Sequence, residues 1–224
     1  MLRRAALPVL ALVPALVVVA VFAAAGARAD GTDVAACQSP APSPVAVSSP
    51  TLAVAVTDAA FDPDLPRVRR GTTLVWTFAA TNSNHHTVTD VTGMHLFDSG
   101  SLGAGAACSF TFTAAGDYDY VCIFHANMTG RVHVPVWASP HRGTRATTFH
   151  LAWSAVQPAS GFVFDVRVRS PHGVWRQLRG GTTSTGGTFA PHGGTGVYLI
   201  EARMRQPSSG GAALWSDPAS ITVR

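Results

Sequence analysis

From Thr51 onward the apolar positions recur at every second residue, in short runs. Leu52–Val56, Leu74–Phe78, His86–Val91, Ser109–Thr113, Tyr118–Cys122 and Val132–Val136 each alternate, and Gly, Pro, Asn or Asp bounds each run. A period of two places one set of side chains on a buried face and the other on an outer face, which is the signature of a half-buried strand. A second series follows at Thr147–Trp153, Phe162–Arg169, Val174–Leu178, Val197–Met204 and Ala219–Val223. No stretch holds a 3.6-residue period for useful length. Many short strands without helices between them predict an all-β chain built as antiparallel sandwiches or barrels.

The pattern breaks in three places. Residues 1–29 carry Arg3 and Arg4, then an uncharged apolar run from Ala5 to Ala25, then Ala27-Arg28-Ala29. A basic start, an apolar middle and a small-x-small site read as an export signal peptide. The run is also long enough to stay in a bilayer as an anchor, and Val34-Ala35-Ala36-Cys37 resembles a lipobox. Every one of these fates places the folded part outside the cytoplasm, secreted or at the cell surface. Residues 30–50, with Pro40, Pro42, Pro44 and Pro50 among Ala and Ser, read as an extended linker. Ser139-Pro140-His141-Arg142-Gly143 ends the first strand series, so 51–137 and 147–224 are expected as two domains joined by a linker at 138–146.

Charge sharpens that division. Residues 51–137 hold four Arg against seven Asp, whereas 138–224 hold nine Arg against two Asp and one Glu. The whole chain is +4, and without the first 29 residues it is 13 Arg against 12 acidic residues. No dense basic stripe remains, so nucleic acid is not an expected partner. Three cysteines are too few for a disulfide-dense scaffold.

Candidate chemistry concentrates in Tyr118-Asp119-Tyr120-Val121-Cys122-Ile123-Phe124-His125-Ala126-Asn127-Met128. Alternation turns Tyr118, Tyr120 and Cys122 inward, and His125 and Met128 follow in a loop. Upstream, Asn84-His85-His86-Thr87-Val88-Thr89 offers a second histidine. Taken singly, a buried Cys, a loop His and a core Met are ordinary. Together, one thiolate, two imidazoles and a thioether form the donor set of a blue-copper site. Structural zinc would ask for a further Cys or His pair, which is missing. His86 shares a face with Val88, whereas His85 sides with Thr87 and Thr89, so His86 is the preferred ligand. The expected metal set is His86, Cys122, His125 and Met128, with one Cu(I)/Cu(II) ion and no catalytic residues. The sequence contains no nucleophile elbow, phosphate loop, His-Glu-x-x-His or His-x-His pair, so an enzyme is not expected.

Residues 51–137 resemble the plastocyanin/amicyanin cupredoxins. The resemblance rests on Cys122-x2-His125-x2-Met128, on Phe61-Asp62-Pro63, on Val68 to Trp76, on Phe97-Asp98-Ser99-Gly100 and on the approach Gly116 to Tyr120. It implies a Greek-key β-sandwich and a one-electron carrier whose portal is His125, flanked by Phe124 and Ala126. It also implies a hydrogen bond from the Thr87 amide to the Cys122 sulfur. Residues 147–224 resemble a fibronectin type III domain through Leu151-Ala152-Trp153, Phe164 to Arg169, Tyr198 to Arg205 and Trp215-Ser216-Asp217-Pro218. That implies a second, immunoglobulin-like sandwich. Its arginines form either a solvated face or a docking surface for a redox partner, a cell-wall polymer at the cell surface, or the acidic first domain itself.

The expected partner is an unidentified redox protein, with no membrane span in the mature chain unless the leader is retained. The other functional classes are an extracytoplasmic copper-binding or storage protein without electron transfer, and an adhesion module. Cys108 alternates in phase with Phe110 and Phe112 and should point inward. Export permits a Cys37–Cys108 disulfide, and a buried free thiol at Cys108 is the alternative.

Overall fold

The computed structural model describes Ala36, Cys37 and residues 49–224. The stretch read as an export signal and most of the Pro-rich stretch read as a linker lie outside the described residues. What is described is all-β, in two sandwiches.

The first sandwich uses β1 (Thr51–Val56), β2 (Phe61–Asp62), β3 (Thr72–Phe78), β4 (Thr89–Asp90), β5 (Ala107–Phe112), β6 (Gly116–Val121) and β7 (Thr129–Val134). One sheet has the order β2-β1-β3-β5, with β1 and β3 parallel, and the facing sheet has the order β4-β6-β7. Alternation does the sorting: Leu74, Trp76 and Phe78 of β3 meet Tyr118 and Tyr120 of β6 and Val132 and Val134 of β7 in one core. Trp76 lies 5.5 Å from Tyr120 and 5.3 Å from Phe97, ring centre to ring centre. Burying aromatic rings of this size stabilises the core by roughly 1.5–3 kcal/mol each. Gly130 is required by this packing, because a Cβ there would lie 2.5 Å from the Tyr120 hydroxyl.

Cys37 and Cys108 form a disulfide. Ala36 bridges Ser109 in parallel, and Cys37 is 1% exposed. Part of the segment read as a free linker is therefore stitched to the edge of β5. With its sulfur bonded to Cys108, Cys37 has no thiol left for a lipid anchor.

The expected strand His86–Val91 is shorter, and the reason is local. The Thr87 amide points at the Cys122 sulfur and the Val88 amide donates to Ser99 Oγ, so ladder bonds are diverted to side chains until β4 begins at Thr89.

The second sandwich has the sheets β13-β10-β8 and β12-β11-β14-β15-β9. Its strands are β8 (Trp137–Ser139), β9 (Arg142–Gly143), β10 (Phe149–Ala152), β11 (Val163–Arg169), β12 (Trp175–Thr182), β13 (Gly186–Phe189), β14 (Gly196–Arg205) and β15 (Ala219–Val223). The stretch 138–146, expected as a linker, thus contributes residues to β8 and β9. Trp153, Phe164, Ile200 and Ile221 fill the core. The Tyr198 hydroxyl donates to Gly194 O at 2.8 Å, which ties the start of β14 to the preceding corner. On the outer face the Arg167 guanidinium stacks between Trp175 and Trp215 at 4.6 and 4.2 Å. Arg167 also pairs with Glu201, and Arg203 and Arg205 pair with Asp165. Much of the arginine alternation is spent inside the sheet face.

The sandwiches share a backbone seam. Asp117 and Leu214 exchange two hydrogen bonds (3.1 and 2.9 Å), the Ala212 amide donates to Thr92 O, and the Ala115 amide donates to Trp153 O. Phe162 and Ala213, from the second half of the chain, belong to the first core. Asp117 sits near the start of β6 and Cys122 just past its end, roughly 16 Å along an extended strand. The seam therefore grips the end of β6 away from the cysteine.

Candidate metal centre

The spacing Cys-x2-His-x2-Met becomes two successive tight turns. The His125 amide donates to Cys122 O at 3.3 Å, and the Met128 amide donates to His125 O at 3.0 Å. The Cys122 amide then closes the loop onto Met128 O at 2.9 Å. Three residues per step is what an i to i+3 backbone bond needs, so the local sequence itself folds the loop back over the end of β6. Met128 is 2% exposed beneath it.

Within this frame the Cys122 sulfur lies 3.3 Å from His125 Nδ1 and 3.8 Å from His86 Nδ1. The two imidazole rings are 4.7 Å apart at 35° to one another. The donor atoms of His86, Cys122 and His125 all fall within 4.8 Å of each other. Cys122 and His86 are buried and His125 is half-buried, with the exposed Ile123 and Phe124 beside it. His85 is exposed and sets its Nδ1 3.0 Å from Ser101 Oγ.

Two supports hold the donors in place. The Thr87 amide reaches the Cys122 sulfur at 3.4 Å, and Thr87 Oγ1 accepts the Ile123 amide at 2.9 Å, so one residue braces both the sulfur and the loop. Asp58 does the same for His86. Its carboxylate accepts the Ser83 amide and hydroxyl (2.9 and 2.7 Å), the Asn84 amide (3.2 Å) and His86 Nε2 (3.0 Å). These donors, the Ser83 amide first, hold the Asp58 carboxyl well below the usual carboxylate range. An ionised acceptor at Nε2 keeps the proton there and leaves the Nδ1 lone pair for a metal. Asp58 was not legible as a site residue, because 28 residues separate it from His86. The one hint was its place at a strand end, among turn residues.

No protein-family model matches the chain, and no curated protein matches it. Among solved structures, a Cu(I) form of an amicyanin variant is 28% identical, over 38% of this chain and 81% of that one, with a TM-score of 0.35. A reduced amicyanin variant is 30% identical over 41% and 86%, with a TM-score of 0.33. A purple cupredoxin from Nitrosopumilus maritimus is 26% identical over 37% and 97%, with a TM-score of 0.34.

Proposed function

We propose that the first sandwich is a plastocyanin/amicyanin-like blue-copper module. It binds one copper ion through His86, Cys122, His125 and Met128, and the protein works outside the cytoplasm as a one-electron carrier. The observation that carries this reading is the convergence of one sulfur and two imidazole Nδ1 atoms at the end of a rigid strand. One soft sulfur with two imidazoles suits copper in either oxidation state, whereas closed structural zinc sites use four strong ligands. Copper bound there supplies a one-electron Cu(I)/Cu(II) couple.

The chain's own residues supply the rest. Asp58 fixes the His86 tautomer, the Thr87 amide donates toward the Cys122 sulfur, and the closed Cys122–Met128 loop resists rearrangement. Donors held in this way need little movement when the charge at the site changes, which favours rapid exchange with a partner. The exposed Ile123 and Phe124 give that partner an apolar landing beside His125. The Cys37–Cys108 disulfide supports an oxidising, extracytoplasmic setting. The second sandwich, with its Tyr198 corner, reads as a fibronectin type III-like support that leaves the His125 end free.

Voltammetry on the copper-loaded protein tests the carrier role. A reversible couple with fast self-exchange is expected; copper that is retained but electrochemically inert would leave a storage protein instead. Met128→Leu should keep the metal and raise the potential, because losing a weak axial donor destabilises Cu(II) more than Cu(I). A tenfold change in that preference reads as about 59 mV, and a fall in potential would count against Met128 as ligand. The histidine choice is checked by a pair of variants. His86→Ala should degrade the copper spectrum, while His85→Ala should leave it nearly unchanged; the reverse result would move the ligand by one residue.

A further inference from the structure

A second convergence of donor groups lies at the seam, away from the thiolate. Asp117 and His133 are direct cross-strand partners on β6 and β7, and Asp217 comes from the second sandwich. His133 Nδ1 is 2.9 Å from Asp117 Oδ2 and 3.9 Å from Asp217 Oδ1. One donor atom from each of the three residues falls within 4.8 Å of the others. Bonds of about 2.0–2.2 Å to a tetrahedral cation hold ligands roughly 3.3–3.5 Å apart, so small side-chain adjustments close the set.

The hydrogen bonds present do not satisfy this cluster. A single Nδ1–H can serve only one acceptor, and it serves Asp117, which leaves Asp217 Oδ1 too far away for a bond. Asp117 Oδ1 is buried without any partner, on a side chain only 10% exposed. The neighbouring cations are engaged elsewhere. Arg67 holds the other Asp217 oxygen, and Arg131 holds Asp119 at 2.5 and 3.1 Å. Neither guanidinium therefore reaches the buried Asp117 Oδ1. A divalent cation in place of the Nδ1 proton would bond the imidazole and both carboxylates at once.

We propose that Asp117, His133 and Asp217 bind a divalent cation of the zinc class, with water completing the shell, and that this ion ties the two sandwiches together. Two carboxylates and one imidazole are borderline N/O donors, which zinc accepts readily. His133 and Asp217 remain partly exposed and leave an entry path.

The test is zinc uptake by the copper-loaded full chain, in which copper occupies the thiolate site. Equilibrium dialysis against Zn(II) with metal analysis should show one tight zinc equivalent, and thermal unfolding should move up when zinc is added. His133→Gln and Asp217→Asn should each weaken uptake by more than the roughly 10–100-fold that losing an outer partner costs, and should abolish the thermal shift. His150→Gln, which removes an exposed histidine elsewhere, should change neither. Uptake that is equal in wild type and His133→Gln, or that follows His150, overturns the site. The comparison is between variants that keep Cys122, so it stands whether or not the thiolate site behaves as blue copper.

Discussion

Cys122→Ser is expected to erase the intense visible band that the Cu(II)-loaded protein should display, and to do so without unfolding the chain. The band would arise from charge transfer between a thiolate and Cu(II), and a hydroxyl offers neither the soft orbital nor an easily lost proton. The side-chain volume changes little, the Thr87 amide still has an oxygen to reach toward, and the loop is closed by main-chain bonds that the substitution leaves alone. Absorption spectra of both proteins loaded in parallel, with circular dichroism as a folding control, decide it. A blue band that survives in the folded serine variant would falsify the copper assignment.

The second large effect is expected at Gly211, on stability. A Cβ there would sit 2.6 Å from the Met94 amide nitrogen and closer still to the Gly93 carbonyl. Those neighbours are backbone, so no rotamer change relieves the clash. Gly211→Ala must pry the 92–94 turn away from 211–213, taking with it the bond from the Ala212 amide to Thr92 O and the seating of Ala213 in the first core. Overpacking costs typically 1–3 kcal/mol when side chains can yield, so a loss of about 3 kcal/mol or more is expected here. Chemical denaturation should change from one shared transition toward two. If Gly211→Ala unfolds as wild type does, the seam is not the cooperative contact described. Gly161→Ala marks the difference in cause: its φ of +88° strains any side chain, but a Cβ there meets nothing within 4 Å.

What was legible in the sequence was whatever neighbouring residues decide together. The period of two in Leu74–Phe78 and Tyr118–Cys122 predicts the inward rings, and the three-residue steps from Cys122 to Met128 predict a tight loop carrying two donors. His86 is buried and His85 exposed, yet the alternation used to choose between them does not hold, because Thr87, expected on the outer face with His85, is itself 1% exposed. What escaped needed partners distant in sequence. Asp58 reaches His86 from another turn, and Asp117 meets Asp217 across 100 residues. β13 escaped for a different reason: Gly186-Gly187-Thr188-Phe189 has one apolar side chain, and its strand character comes from pairing with β10. The 138–146 stretch looked like a linker because Pro140 and Gly143 are turn residues, yet Arg142 and Gly143 find a parallel neighbour in β15.

The seam also sets an order of events. A ribosome makes the chain from its N-terminus, so His86, Cys122, His125 and Met128 are all present before Phe162 and Ala213 have been synthesised. Those two side chains complete the core under the site, and the seam they bring holds the far end of the strand that leads to Cys122. A chain that has just brought out these four residues is therefore an unfinished sandwich, and its core closes only when the last quarter of the sequence has joined it.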